Sequence, residues 1–174
     1  SKGESDYLTN ALYMKGWSQF KQNSYQSALV SYTRVLDIIL DAQPGKEELT
    51  AAQVDDKYPT LAEDLLRVMG LSFSYLGGEK SVGDLFDLVG SKHYEILVYD
   101  RYSKLLYGKE QYGGVIELYR HFIQRHAYSA WSPVYQVRVI DTLIQAGFRS
   151  ELYAEKSRFV QTYGLGSDYW NHYS

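Results

Sequence analysis

The sequence predicts an all-α protein, a helical-hairpin solenoid of about four antiparallel hairpins, or eight helices. Three observations predict it. Small and apolar residues recur in steps of three and four, the period that lines one face of a helix. The same series of steps returns further along the chain. No stretch sustains the period-two alternation of β-branched residues that marks strands.

The first hairpin is the run TNALYMKGWSQFKQNSYQSALVSYTRVLD. Its anchors are Leu12, Gly16, Phe20, Tyr25, Ala28, Tyr32 and Val35, in steps of 4, 4, 5, 3, 4 and 3. The step of five crosses the polar turn Lys21-Gln22-Asn23-Ser24, where Ser24 is a candidate cap for the second helix. Tyr99, Ser103, Tyr107, Tyr112, Val115, Tyr119 and Phe122 repeat those steps in full. A weaker copy runs through Leu66, Gly70, Ser74, Glu79, Val82, Phe86 and Val89, with Gly77-Gly78 in its turn and an end near Gly90. A fourth starts at Tyr135, Val139, Leu143 and Phe148, then slips by one residue to Leu152, Lys156 and Phe159, with Gly147 in the turn. Ile96-Leu97-Val98-Tyr99 has strand propensity but lies inside the third copy, so it reads as helix.

The hairpins fall at about 7–41, 60–90, 93–126 and 132–163, within one domain spanning 1–174. Their first markers lie 54, 33 and 36 residues apart. The first interval is long because of an insertion at 42–59, DAQPGKEELTAAQVDDKYPT with its flanks. Pro44-Gly45 breaks the helix before it, Pro59 opens the helix after it, and a short helix is expected near 47–54.

Composition narrows the function. Hydrophobic residues make up 45% and charged residues 22%, enough apolar content for a packed core. The 18 basic and 21 acidic residues give a net charge of −3, which argues against nucleic acid or an anionic membrane as the main partner. There is no cysteine, so disulfides, thiolate metal sites and cysteine nucleophiles are excluded. No apolar run reaches the roughly 18 residues of a membrane helix. The ends read as those of a piece excised from a longer chain. Most of the 18 tyrosines are expected to pack between helices, where a large ring with a polar tip fits a half-buried surface.

Residues with chemical potential read mostly as structural. His93, His121, His126 and His172 include no pair at helical i, i+4 spacing, so no zinc motif forms, and they read as solvated or helix-end histidines. Asp55-Asp56 in the insertion and Glu63-Asp64 at a helix start suit solvation and capping better than acid–base catalysis. Gly77-Gly78-Glu79-Lys80-Ser81 lacks the glycine spacing and preceding strand of a phosphate loop. No catalytic residue, cofactor or metal ligand is expected. Trp17 is divided between a binding hot spot and packing; Trp131, beside Pro133 at a helix start, reads as packing. The aromatics from Tyr169 to Tyr173 read as the start of a further repeat.

The anchors Gly16, Phe20, Tyr25, Ala28 and Tyr32 resemble the tetratricopeptide repeat family, whose period is about 34 residues. The resemblance covers about 7–163 and is fullest in the first and third hairpins. It implies a right-handed superhelix that binds peptides or helices on the concave face lined by the first helix of each hairpin. Carried across, that face comprises Asn10, Tyr13, Trp17 and Lys21, then Arg67, Leu71 and Tyr75, then Asp100, Arg101, Lys104 and Gly108, followed by Gln136 and Ile140. Tyr13, Trp17 and Val68 stand where the carboxylate-clamp subfamily needs polar groups, so a terminal carboxylate is not the expected ligand. The segments YMKGWSQFKQNSYQSALVSYTRVLD and KSRFVQTYGLGSDYW are similar to stretches of large tetratricopeptide proteins of Gram-negative cell envelopes. That likeness implies a periplasmic or outer-membrane-associated scaffold, with the cytoplasm as the alternative compartment.

Three functions follow: a scaffold recruiting a peptide or protein partner through the concave face, an architectural spacer contacting neighbouring repeats, and an enzyme with a site on the insertion. The first is the expectation, because no convergent titratable groups are visible for the third.

Overall fold

A computed structural model describes residues 2–174. Among the described residues the fold is all-α, with ten helical segments and no strand. They are α1 (Lys2–Lys21), α2 (Tyr25–Ile39), α3 (Ala51–Asp55), α4 (Thr60–Leu76), α5 (Lys80–Val89), α6 (Glu95–Gly108), α7 (Tyr112–Arg125), α8 (Trp131–Ala146), α9 (Arg149–Tyr163) and α10 (Asp168–Asn171). The eight longer helices correspond to the eight expected; α3 and α10 are short additions.

Four turns share one construction. Each places a residue at positive φ (Asn23, Gly77, Glu110, Gly147). The next amide then donates to the carbonyl five residues back: Ser24 to Gln19, Gly78 to Phe73, Gln111 to Leu106 and Phe148 to Leu143, at 2.8–3.0 Å. This six-to-one bond closes a helix C-terminus and satisfies one of its orphan carbonyls. It is the physical content of the five-residue step. It also corrects the fourth repeat. Aligned on the turn bond, Arg149, Leu152, Lys156 and Phe159 match Tyr25, Ala28, Tyr32 and Val35 without any slip. The slip belongs to α8, where Gln136 and Ile140 take the positions of Leu12 and Gly16.

Two caps differ from expectation. Ser24 precedes α2, but its side chain makes no capping bond; only its carbonyl accepts, from Ala28. The insertion helix starts at Ala51 rather than near 47, because Thr50 and Gln53 form a reciprocal capping box there. Asp56 is the C-cap residue of that helix.

The chain forms two compact units, the first ending at Leu105 and the second running from Leu106 to Ser174. In the first, α2 packs against α1, α4 and α5. Its core holds Ala28, Tyr32, Val35, Leu65, Met69, Phe73, Phe86, Tyr94, Tyr99 and Tyr102, all buried. The Tyr94 hydroxyl donates to Asp37 at 2.7 Å, and Lys92 pairs with the same carboxylate at 2.9 Å. In the second unit, α8 packs against α7 and α9. Tyr135 sits between Tyr119 and Phe122, with ring centroids 4.5 and 4.8 Å away. Trp131 is buried beside it, as packing predicts.

The C-terminal aromatics are occupied within their own unit. The Tyr169 hydroxyl donates to Ser129 and the Trp170 indole to Tyr163. The Tyr173 hydroxyl reaches the Tyr128 carbonyl, and His172 stacks on Tyr128. No described helix is long and apolar enough to cross a membrane.

Candidate functional site

The residues of the expected binding face divide into two groups in the first unit, and Gln136 falls outside both. The first group is aromatic. Asn10, Tyr13, Trp17 and Lys21 follow one another in steps of three and four, so they share one face of α1. Asn10 and Lys21 are exposed, while Tyr13 and Trp17 are half-buried. Trp17 meets Tyr13 and Phe20 edge-to-face, with centroids at 6.3 and 5.6 Å. Phe20 continues the run to Tyr25 at 5.4 Å and to Tyr75 at 6.3 Å. Tyr25 and Tyr75 stack at 5.0 Å with planes 22° apart. Tyr75 remains 64% exposed at the end of the run. Arg67 and Leu71 precede it on α4, Arg67 exposed and 3.9 Å from Asp64, Leu71 half-buried.

By spacing, Phe20 and Tyr25 are anchors of the first expected hairpin. In the structure they also join Trp17 to Tyr75. The signal for this is the five-residue step itself, which brings two aromatic residues together across the turn.

The second group is charged; Asp100 and Arg101 are covered, while Lys104 is exposed. Asp100, expected on an open face, is buried, because its carboxylate is shared by Arg101 and Lys104, each at 2.8 Å. Arg101 is spent in several directions. Its guanidinium makes a two-pronged pair with Glu63 at 3.0 and 3.1 Å. It also donates to the carbonyl of Val54 at 2.9 Å and to that of Asp56 at 3.4 Å. The Tyr58 ring lies 5.9 Å away. Burial works against the charge, yet the bonds to Glu63 and Asp100 hold the guanidinium pKa above its ordinary value. The Arg101 hydrogen bond is the main cause that keeps the Glu63 carboxyl below the usual carboxylate range. The insertion therefore lies directly on this part of the face.

In the second unit, Gln136 is buried and donates to Glu155. Glu155 is itself buried and binds Arg120 at 2.5 Å and Arg158 at 2.8 Å. Gln136 thus faces the packing side of α8, as the turn alignment requires. Ile140 is half-buried, and Gly108 is exposed at the end of α6.

His93 is not a solvated histidine. It is 8% exposed, edge-on to Tyr94, and its Nδ1 has no hydrogen-bond partner among the described residues. Burial, then nearby Lys46, pushes its pKa down, against weaker opposition from Asp41 and Asp37. Among the described residues, no three histidine or carboxylate side chains converge as a metal site would require.

No protein-family model, curated protein or solved structure matches this chain.

Proposed function

We propose that the chain is a protein-interaction module whose first unit receives a peptide or protein partner on the aromatic face of α1 and α4. The observation that carries this reading is the run Tyr13–Trp17–Phe20–Tyr25–Tyr75, whose rings support one another and end in an exposed tyrosine. Rigid aromatic residues with flanking cations are the side chains that most often anchor interfaces, because they bury much area at little entropic cost. Lys21 and Arg67 supply those cations.

On the same reading, the hairpins are tetratricopeptide-like repeats arranged as a solenoid. The support is the recurring ruler and the shared turn bond. The likeness of two segments to envelope proteins favours an envelope scaffold as the setting.

The test is selection of a displayed random peptide library against the intact chain, followed by affinity measurements on the enriched peptides. Binding should weaken at least about tenfold in Tyr75→Ala and in Lys21→Glu, as loss of an anchor or rim charge implies, with melting temperatures unchanged. Enriched peptides that bind both variants as well as the native chain, or no enrichment, would overturn the reading.

One observation favours the second reading, an architectural spacer. Tyr7 and Met14 on α1 are 77% and 67% exposed, an apolar side that another helical repeat would cover. Sedimentation that shows association abolished by Met14→Glu but not by Tyr75→Ala would favour the spacer.

A further inference from the structure

The insertion between α2 and α4 is bound as a ligand would be. Of its residues, Val54 alone is buried; most of the others from Gln43 to Lys57 are exposed. Its docking to the rest of the unit includes backbone and side-chain contacts at both ends, among them Lys46 Nζ donating to the Asp41 carbonyl at 3.0 Å. Leu49 donates its amide to the His93 carbonyl at 3.2 Å. Val54 fills an apolar niche, and its carbonyl and that of Asp56 accept from Arg101. Those carbonyls lie at the C-terminal end of α3, where a helix leaves acceptors unsatisfied and favours a cation. Arg101 thus receives the end of a short helix, and α3 supplies one.

We infer that the α4–α6 face around Arg101 is a docking site for the C-terminal turn of a short acidic helix, held closed in this chain by its own segment 46–58. The inference deepens the proposed peptide-binding role but rests on different residues. The ligand chemistry is read from the occupant. It has a β-branched apolar side chain at the end of a helical turn, free carbonyls beyond it, and the acidic residues Glu47, Glu48, Asp55 and Asp56 around it. A tethered occupant has an effective concentration near millimolar, so weak contacts suffice to close the site. A segment this exposed also opens locally more readily than the core does.

The test uses the segment itself as probe. Residues 46–57 are replaced by a Gly/Ser stretch of equal length, and a labelled peptide of sequence KEELTAAQVDDKY is titrated by fluorescence anisotropy. Saturable binding is expected, at least about tenfold weaker to the intact chain, whose tether competes. Binding should be lost when the peptide carries Val54→Asp or the protein carries Arg101→Gln. No saturable binding to the folded replacement variant, or binding indifferent to both changes, overturns the inference.

Hydrogen exchange on the intact chain tests it even if the replacement variant does not fold. The Leu49 and Val54 amides should exchange about a hundredfold faster than Met69 and Tyr102, as opening of the segment alone requires. Equal rates would make the segment an integral part of the core and sink the proposal. Neither experiment touches Trp17 or Tyr75, so its failure is separate from failure of the aromatic face.

Discussion

Gly16 on α1 lies flat against the ring of Tyr32 on α2. A Cβ at residue 16 would fall inside the contact distance of three ring carbons. Tyr32 is fully buried and has nowhere to retreat. An alanine at 16 gains about 1 kcal/mol of helix propensity over glycine. Overpacking against a rigid core ring costs about 1–3 kcal/mol. The clash should prevail, so Gly16→Ala is expected to lose about 1 kcal/mol in denaturant unfolding. Gly3→Ala, where nothing lies near the added atom, should not be destabilising.

The Tyr32 hydroxyl is buried without a hydrogen-bond partner among the described residues. Tyr32→Phe removes that cost and should stabilise the fold by about 1 kcal/mol, the lower part of the range for an unpaired buried hydroxyl. Tyr94→Phe should do the opposite, since it deletes a bond to the Asp37 carboxylate. Alkaline titration gives a second readout. Burial pushes the Tyr32 phenol up to about 12 and that of Tyr163 to about 12. In the unfolded chain these groups ionise near pH 10. The folded state therefore binds more protons in that window, and stability should fall as pH rises from about 10 to 12. In Tyr32→Phe the fall should be shallower.

His93 governs the acid side. Its folded pKa is below that of the free imidazole, with burial the leading cause. The unfolded chain takes up the proton first, near pH 6.5. Stability from this group is therefore present above that pH and lost as pH falls through the depressed folded value. Urea midpoints measured from pH 7.5 down to 5 should decline in the native chain and decline less in His93→Phe. The Glu63 contribution appears only at lower pH, below the ordinary carboxylate range, so the two windows are separable.

Glu155 is the buried centre of the second unit's charge network, contacted by Arg120, Arg158 and Gln136. Although burial opposes the charge, Glu155, Glu151 and Glu117 together hold the Arg120 pKa above its ordinary value. Glu155→Ala leaves Gln136 buried without that acceptor and removes one of the carboxylates on Arg120. A loss of about 2–3 kcal/mol is expected, below the full penalty of breaking a buried pair because Glu117 and Glu151 remain. Glu151→Ala, at an exposed pair, should cost under about 1 kcal/mol. Thermal unfolding of the two variants checks the ordering.

The turns between helices are readable because their chemistry is local. The five-residue step in the sequence is the six-to-one turn bond in the structure, and Gly77 and Gly147 mark two of its positive-φ positions. The positions of Asn23 and Glu110 carry no such mark, since other residues also enter that conformation. The fourth repeat was misaligned by one residue because Tyr135, Val139 and Leu143 are buried and follow the right period, yet sit one place off the register fixed by the turn. Apolar spacing reports which face of a helix is buried; it does not report where the helix ends.

The sequence by itself determined the all-α class, the approximate positions of the eight longer helices and the two glycine-marked turns at Gly77 and Gly147. All of these depend on residues close in the chain or on a repeated spacing. Only the tertiary structure decided that Asp100 is buried, that His93 is desolvated, that Gln136 serves Glu155, and that Arg101 is occupied by the insertion. Gln136 and Glu155 lie 19 residues apart, and Arg101 lies 38 residues from Glu63 and 47 from Val54. Burial and pairing of a charge are set by what folds against it, and no local pattern encodes that.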